Sequence, residues 1–540
     1  MNSKFYYLMG IGGTGMSSLA HYLLDHGMIV HGSDRSANGY SQSLEQLAQR
    51  GVTLYPQDGS APALFHRFCL SHGAVESNIC FVRSKAVEDH VADVVQTRFL
   101  GFEPIFRSDL LASLFNSSKK GIAIAGTAGK STVTGMATHI FRRCGEDPAS
   151  ISGAPLHGFP SGHGGMGPLI IEADESDLSL IAYKPKIAVL LNLLRDHHEN
   201  HIVEKAFQTF AGNLLPEGTL VFNASCPLSL RIAAFTAESR PDLNLIAFSP
   251  IPSSDSPSDS PTHSSTDLPT GLPADLPDTI ADKCVILRAS NPSRENWQSH
   301  FGISIDFPAG FPGVSPADAN PPSNQKSTFQ LELSIPCPGD YQISNTCAAL
   351  AAAIAWGVNP ENAAAAMADY PGIFRRFQHF GTLNGIDLVD DFAHHPSEIR
   401  AALSTALELT PPQSRVHAVY QPHGYGPTRF TFDEMVETLT KMDKRVNFWL
   451  TEIFYGGGTV NKDISSAHII DAVAKTGESE AENIKLSADF ENLATEIATK
   501  CQKGDLVLIM GARDINRLTP MIARNINSQI ETNHIMTNQD

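Results

Sequence analysis

The sequence predicts an α/β protein in three units: a Rossmann-like N-terminal domain over 1–115, a P-loop central domain over 116–328 and a further α/β domain over 329–540. Two glycine-rich loops, at 10–15 and 124–131, each sit between an apolar strand-like run and a helical segment, so each opens its own βα unit. A stretch rich in Ser, Pro and Asp at 249–277 interrupts the middle of the chain, and strand and helix signals resume after it. At 540 residues the chain is also too long for a single hydrophobic core.

Taken in order, 5–9 is an apolar run entering the first loop, 16–26 has helical spacing, and 28–31 leads as a strand into Ser33-Asp34. The run 121–125 reads as a buried strand, the second loop follows, and 131–144 is helical; 169–171 and 187–191 read as further strands. Segment 249–277 has too few apolar residues to build a core and reads as a disordered insertion, with the Pro/Gly stretch 307–325 near it. Such an insertion disturbs a fold little, because closure entropy grows only logarithmically with loop length. From 329 a strand, Pro338-Gly339 and the alanine-rich helix 345–356 begin the last unit, with strands at 387–390, 416–420, 446–450 and 506–510. That unit ends near Ile526, followed by a polar, frayed tail.

Lys and Arg number 39 against 57 Asp and Glu, a formal net charge of −18. A field of that sign repels polyanions, which argues against nucleic acid and demands local cations wherever an anionic ligand binds. Eight cysteines with no CxxC pair fit reduced thiols rather than a disulfide framework or a zinc site. The first residues show no basic n-region or cleavage site, and no stretch approaches the ~18 apolar residues of a membrane span. The expected location is the cytoplasm.

The loop 124–131, Ile-Ala-Gly-Thr-Ala-Gly-Lys-Ser, resembles a P-loop, although Ile124 stands where the first glycine usually does. Backbone N–H groups at a helix N-terminus hold phosphate, Lys130 neutralises it, and the Ser131 hydroxyl suits Mg2+. The loop 10–15, Gly-Ile-Gly-Gly-Thr-Gly, matches GxGxxG, with Asp34 where a dinucleotide fold carries its ribose acid. On its own it favours an NAD(P)-dependent oxidoreductase, although the same turn suits any nucleotide diphosphate or a purely structural role. The segment from Glu172 to Asp177 sets four carboxylates after a strand and beside the P-loop, suited to a divalent cation, with a solvated acidic loop as the alternative. Asn192 to His198 follows another strand, and because adjacent side chains diverge, one of His197 and His198 at most serves as a ligand. Arg375-Arg376-Phe377 offers a guanidinium to a transferring phosphoryl group, against the base rate that arginines are surface charges. Asp390-Asp391-Phe392-Ala393-His394-His395-Pro396 clusters acids and histidines directly after a strand, where α/β sites lie.

Together these segments resemble the Mur ligase family. The matching stretches are GIGGTGMSSLA with GSD, VRSKAV, GTAGKST, EADESD, NLLRDHH, GIFRRFQ, DDFAHHPSEI and QPHGY, in family order from 5 to about 515 outside the insertion. The likeness is greatest to the branch that adds L-alanine to UDP-N-acetylmuramate in peptidoglycan precursor synthesis. The resemblance implies an ATP- and Mg2+-dependent ligase in which the substrate carboxylate becomes an acyl phosphate that an amine then attacks. It implies that Gly12, Gly13, Thr14, Gly15, Ser33, Asp34 and Ser84 bind the UDP-sugar. Gly126, Thr127, Ala128, Gly129, Lys130, Ser131 and Thr132 would cradle the ATP phosphates, with Ser131 and Glu172 on the first Mg2+ and His197 on the second. Arg376 would face the γ-phosphate, Asn345 the adenine and Asp391 the ribose, while His394 and His395 would border the amino-acid site.

The sequence departs from the family pattern at several of these places. Ala128 stands for His, Ser131 for Thr, Tyr341-Gln342 for His-Asn, and Arg513 for Gly. The run from Gln421 to Arg429 carries Gly424 and Pro427 where the family has arginines. A carboxylate favours the forked donors of Arg, so either Arg429 takes over that role or the amine donor differs from free L-alanine. A peptide-adding ligase and a non-catalytic nucleotide-binding relative are the other readings.

Overall fold

The computed structural model describes residues 4–36, 42–175, 177–193, 200–249, 276–308, 327–455, 460–477, 483–487, 489–512 and 514–537. Nearly all of the Ser/Pro-rich segment 249–277, most of 307–325, and His197, His198 and Arg513 lie outside the described residues. Among the described residues the backbone forms three sheets, of five, ten and six strands.

In the first sheet, Phe5–Met9 pairs in parallel with Ile29–Asp34 on one side and Ile79–Arg83 on the other. Strand order reverses at that point, which opens a crevice above the carboxyl ends of the strands. Phe5–Met9 is buried along its whole length, as a parallel strand covered on both faces must be. The helix Thr14–Asp25 leaves the first glycine loop and buries Met16, Leu19, Ala20 and Leu23, the i, i+3, i+4, i+7 stripe of a helix lying on a sheet.

In the second sheet, Gly121–Ala125 lies between Ile187–Leu190 and Leu169–Ala173, all parallel. The P-loop, the acidic segment and Asn192 therefore leave three adjacent strands at one edge. The sheet runs on to Cys284–Glu295 and ends in the antiparallel strands Gln298–Phe307 and Ser327–Ile335. The sequence assigns Ser327–Ile335 and the alanine-rich helix to the last unit, and the packing corrects this. Leu333, Ile335, Ile343 and Leu350 share one core with Ile124, Val133 and Phe141 of the central unit. The helix Asp340–Trp356 is apolar nearly all round, so it must be enclosed, and here it packs against the helix Lys130–Arg143 and the central sheet.

The third sheet sets Gln378–Leu383 antiparallel to Ile386–Asp391, which is followed by parallel Leu506–Gly511, Val416–Gln421, Val446–Thr451 and Ile484–Ser487. The helix Leu518–Thr537 runs through the expected end of the unit near Ile526 and on into the segment expected to fray, and buried Leu518, Ile522 and Ile526 hold its first half against Leu388 and Ile509 of the sheet. The central unit also touches the third through the tip of its antiparallel hairpin. Trp297 stacks on His379 with ring centroids 3.9 Å apart, and Arg294, which also pairs with Asp340 of its own unit, reaches across to Glu408.

The first two units meet where the helix Thr14–Asp25 faces the two-residue strand Gly162–His163. A Cβ on Gly162 would stand 1.8 Å from the Ser18 carbonyl oxygen, so only glycine allows this approach. Gly162→Ala is expected to cost about 1–3 kcal/mol, the usual range for overpacking. Thermal denaturation reads this as a lowered Tm, and an unchanged Tm would contradict the close approach.

Candidate active site

The second glycine loop is held from below by Asn192. Its carbonyl accepts from Thr127 N at 2.8 Å, and its side-chain oxygen accepts from Ala128 N at 2.9 Å. Gly129 has φ +89°, and a Cβ there would lie 2.6 Å from Asn345 Oδ1, so the loop requires glycine twice over. The helix Lys130–Arg143 starts directly after it and presents its N-terminal N–H groups to the cavity, the ready-made anion site of a strand–loop–helix turn.

The Lys130 ammonium donates to Gly126 O at 2.7 Å, Thr127 O at 3.2 Å and Glu175 Oε2 at 2.8 Å, which uses all three of its donors. Burial on its own lowers the Lys130 pKa, but Glu175, Asp174 and Glu172 outweigh it and hold the amine above its usual value. Ser131 Oγ donates to Glu172 Oε2 at 3.0 Å, while Glu172 Oε1 accepts from Ser152 Oγ and Gly153 N, each at 2.6 Å. The helix of the first unit reaches the same place, with Ser18 Oγ donating to Ser152 O at 2.6 Å.

From the third unit, Arg376 brings its Nη1 to 3.9 Å from Glu398 and its guanidinium to 5.0 Å from the Phe392 ring centroid. Asp391 accepts from the backbone N–H groups of Phe377 and Ala393, both at 2.6 Å, and burial lifts its carboxyl to about 6 against the pull of Arg376. Burial also raises Glu398, but His394, Arg376 and the N–H groups of His394 and His395 outweigh it and hold the carboxyl below its usual value.

Three cavities adjoin in a line. A chamber of about 270 Å³ is lined by Lys130, Ser131 and Glu172 from the central unit, Arg376 and His394 from the third, and Thr14 from the first. It shares Gly129, Arg376 and Glu398 with a slot of about 150 Å³ that holds Ala128, Thr132, Asn345 and Asp391. On its other side it shares Thr14, Gly153, Glu172 and Asp174 with a cavity of about 510 Å³ over the first glycine loop, where Gly13, Gly15, Asp34 and Ser84 lie. The groups expected on the γ-phosphate thus converge on one space, with a further recess on either side.

Not every expected residue is brought there. Ser33 turns its hydroxyl inward to donate to Asp93 at 2.5 Å, although its carbonyl accepts from the N–H groups of Gly10 and Ile11 and so shapes the loop. His395 is buried and caps the helix Pro396–Leu409, leaving His394 as the histidine on the chamber. Arg429 is half-exposed, pairs with Asp463 and donates to Asn461 O, and is not among the lining residues of the three cavities. Gly12 contributes through its backbone, its N–H donating to Asp34 Oδ2 at 2.9 Å.

Sequence reasoning missed three participants. Arg107 lies over the first loop, its guanidinium 3.3 Å from where a Gly15 Cβ would stand, and supplies a cation to the larger cavity. Glu398 pairs with Arg376 and Glu175 with Lys130; Glu175 lies in the acidic segment that the sequence singles out, but only three-dimensional pairing shows which of its carboxylates meets Lys130. Among the described residues no three His, Cys, Asp or Glu side chains form a ready metal cage, no helix is long and apolar enough to cross a membrane, and all eight cysteines are free.

Burial raises the Glu175 carboxyl from 4.5 to about 7, against the pull of Lys130. Between those values the folded chain holds a proton that the unfolded chain has released, so this group makes stability fall as pH rises across the window. Glu175→Gln is expected to flatten that part of the dependence. The check is the difference in Tm between about pH 5 and pH 8, which should shrink in the variant of the unliganded protein.

The description "Mur ligase family, catalytic domain" matches residues 5–119, and "Mur ligase, glutamate ligase domain" matches residues 375–513. The chain is 29% identical over 525 residues to the UDP-N-acetylmuramate–L-alanine ligase of Streptomyces griseus, covering 96% of each. It resembles the crystal structure of the UDP-N-acetylmuramate-alanine ligase of Thermotoga maritima with a TM-score of 0.67 at 19% identity, over 97% of this chain and 99% of that one. The murein peptide ligase of Psychrobacter arcticus gives a TM-score of 0.62 at 21% identity with the same coverage. Nearly end-to-end likeness, matches at both termini and a phosphate loop that meets the acids and the guanidinium in one chamber lead to one conclusion: the chain belongs to the Mur ligase family and is an ATP-dependent ligase.

Proposed function

We propose that this ligase uses ATP to activate the lactyl carboxylate of UDP-N-acetylmuramate and joins it to L-alanine, as a step of peptidoglycan precursor synthesis. The observation that carries this reading is the alignment of the three cavities. ATP takes the slot at Asn345 and Asp391 with its phosphates at the P-loop, the UDP-sugar takes the larger cavity over the first glycine loop, and the two reacting ends meet between them.

In the first step a carboxylate oxygen bonds to the γ-phosphorus and the bond to ADP breaks. The amine nitrogen then bonds to the acyl carbon, loses a proton, and phosphate leaves. Lys130 exchanges Glu175 for a phosphate oxygen, and Arg376 meets the charge spread over the transferring group. Ser131 and Glu172 fit Mg2+, since a hydroxyl and a carboxylate oxygen 3.0 Å apart are the hard donors that this ion takes beside water and substrate phosphate. When bound there it neutralises phosphate charge. The third unit supplies Arg376, His394 and Phe392 to the chamber and so excludes water from a hydrolysable acyl phosphate.

An oxidoreductase has no use for the P-loop chamber, and its reading falls with the family assignment. The relatives named for L-alanine support that amine donor, and with Arg429 paired to Asp463 the donor's carboxylate falls to other groups.

Lys130→Ala is expected to lower phosphate release by at least ~10²-fold, the scale for losing one preorganised charge contact. The thermal shift produced by UDP-N-acetylmuramate should persist in the variant; turnover near that of the parent chain would refute the P-loop assignment. Phosphate release with UDP-N-acetylmuramate should be strongest with L-alanine in a screen of amino acids and short peptides, and a clear preference for a peptide would transfer the reading to a peptide-adding ligase.

A further inference from the structure

We infer that Arg375, through its ion pair with Asp390, is a positioning residue that fixes the turn 375–377 in the geometry aiming Arg376 into the chamber. The inference rests on the role proposed above for Arg376.

The two arginines are neighbours in sequence and opposites in environment. Arg376 lines the reaction chamber and the adjoining slot, whereas Arg375 is 6% exposed and lines none of the three cavities. Arg375 Nε donates to Asp390 Oδ1 at 2.9 Å, and Nη2 donates to Gly511 O at 2.6 Å. Both partners lie at carboxyl ends of strands of the third sheet, Ile386–Asp391 and Leu506–Gly511. The guanidinium thus ties the turn to the sheet edge that faces the chamber.

The backbone around Arg376 needs such a tie. Arg375 has φ +57° and Phe377 φ +47°, so both neighbours of the functional arginine sit in the left-handed region that residues with side chains rarely adopt. Conformations of this kind persist where the surroundings over-determine them, and they cluster at functional sites. Here Arg375 N donates to Gln378 Oε1 at 3.0 Å, Arg375 O accepts from Phe392 N at 2.7 Å, and Phe377 N donates to Asp391 Oδ2 at 2.6 Å. The same Phe392 ring lies 5.5 Å from the Arg375 guanidinium and 5.0 Å from that of Arg376, so one ring spaces the two.

A buried ion pair adds little net stability, because desolvation offsets most of its Coulomb gain. Its directional contribution is larger: donors set in a rigid plane meet fixed acceptors, which an apolar side chain cannot reproduce and a lysine reproduces only in part. Among the described residues Arg376 Nε is buried without a hydrogen-bond partner, so its direction comes from the backbone turn and ring contact rather than from a bond at that nitrogen.

The test is a double-mutant cycle on the full chain, with ATP-dependent phosphate release at saturating substrates as one readout and the KM for ATP as the other. Arg375→Met is expected to lower kcat at least about tenfold, because a displacement of about 1 Å at a reacting group can cost 10²-fold. KM for ATP should change much less than kcat, Arg375→Lys should recover part of the loss, and Arg375→Met/Arg376→Ala should be no slower than Arg376→Ala. Equal losses from Arg375→Met in both backgrounds would overturn the inference, as would an unchanged kcat in Arg375→Met. If Arg376→Ala itself turned over normally, the role of Arg376 would fall first and this inference with it. Should Arg375→Met not fold, Asp390→Asn keeps the shape of the site and enters the same cycle: a loss of kcat confined to the Arg376 background supports the inference, and an equal loss in both backgrounds or none at all overturns it.

Discussion

The reaction chamber is dominated by like charge. Glu172, Asp174, Glu175 and Glu398 border it against Lys130 and Arg376, in a chain whose net charge is −18, and the reaction adds a carboxylate and a triphosphate to that space. Much of the local architecture follows from keeping those acids apart and occupied. Glu172 is held by Ser131, Ser152 and Gly153, Glu175 by Lys130, and Glu398 by two backbone N–H groups. These three glutamates are satisfied in the unliganded protein, so an anion that reaches the Lys130 ammonium must displace Glu175 from it. That exchange favours ligands that arrive with their own counter-ions.

The fold makes the arrangement possible by stacking strand ends. The P-loop, the acidic segment and Asn192 leave three adjacent parallel strands at one edge of the central sheet, and Arg376 enters from the matching edge of the third. The first unit joins through backbone as well as ligand. Its helix donates from Ser18 to Ser152 O, and Ser152 Oγ donates to Glu172. The helix that leaves the first glycine loop thus stands two hydrogen bonds, joined through Ser152, from the carboxylate beside the P-loop.

What the sequence revealed was what is local. Strand, glycine loop and helix are contiguous at both phosphate loops, so their geometry could be read from a dozen residues. The alanine-rich helix was readable as a helix but not as part of the central unit, because which sheet a largely apolar helix covers depends on residues two hundred positions earlier. Side-chain direction was the least legible feature. Ser33 turns away because Asp93 lies beneath it and Arg429 because Asp463 claims it, and neither partner is near in sequence. His395 turns away for a local reason, the capping of the helix that starts beside it, yet nothing in the pair His394-His395 says which ring takes that duty. Arg375 and Arg376 were indistinguishable by composition; the resemblance chose between them, and their opposite burial gives the physical reason.

The hairpin tip that carries Trp297 onto His379 also bears on how the third unit moves. A body joined to its neighbour only by the chain near 374 could swing about that point in any direction. The stacked rings, with the Arg294–Glu408 pair beside them, are a second attachment that limits such a swing. A turn of the third unit that kept both attachments would have to run about the line through them, like a door on two pins.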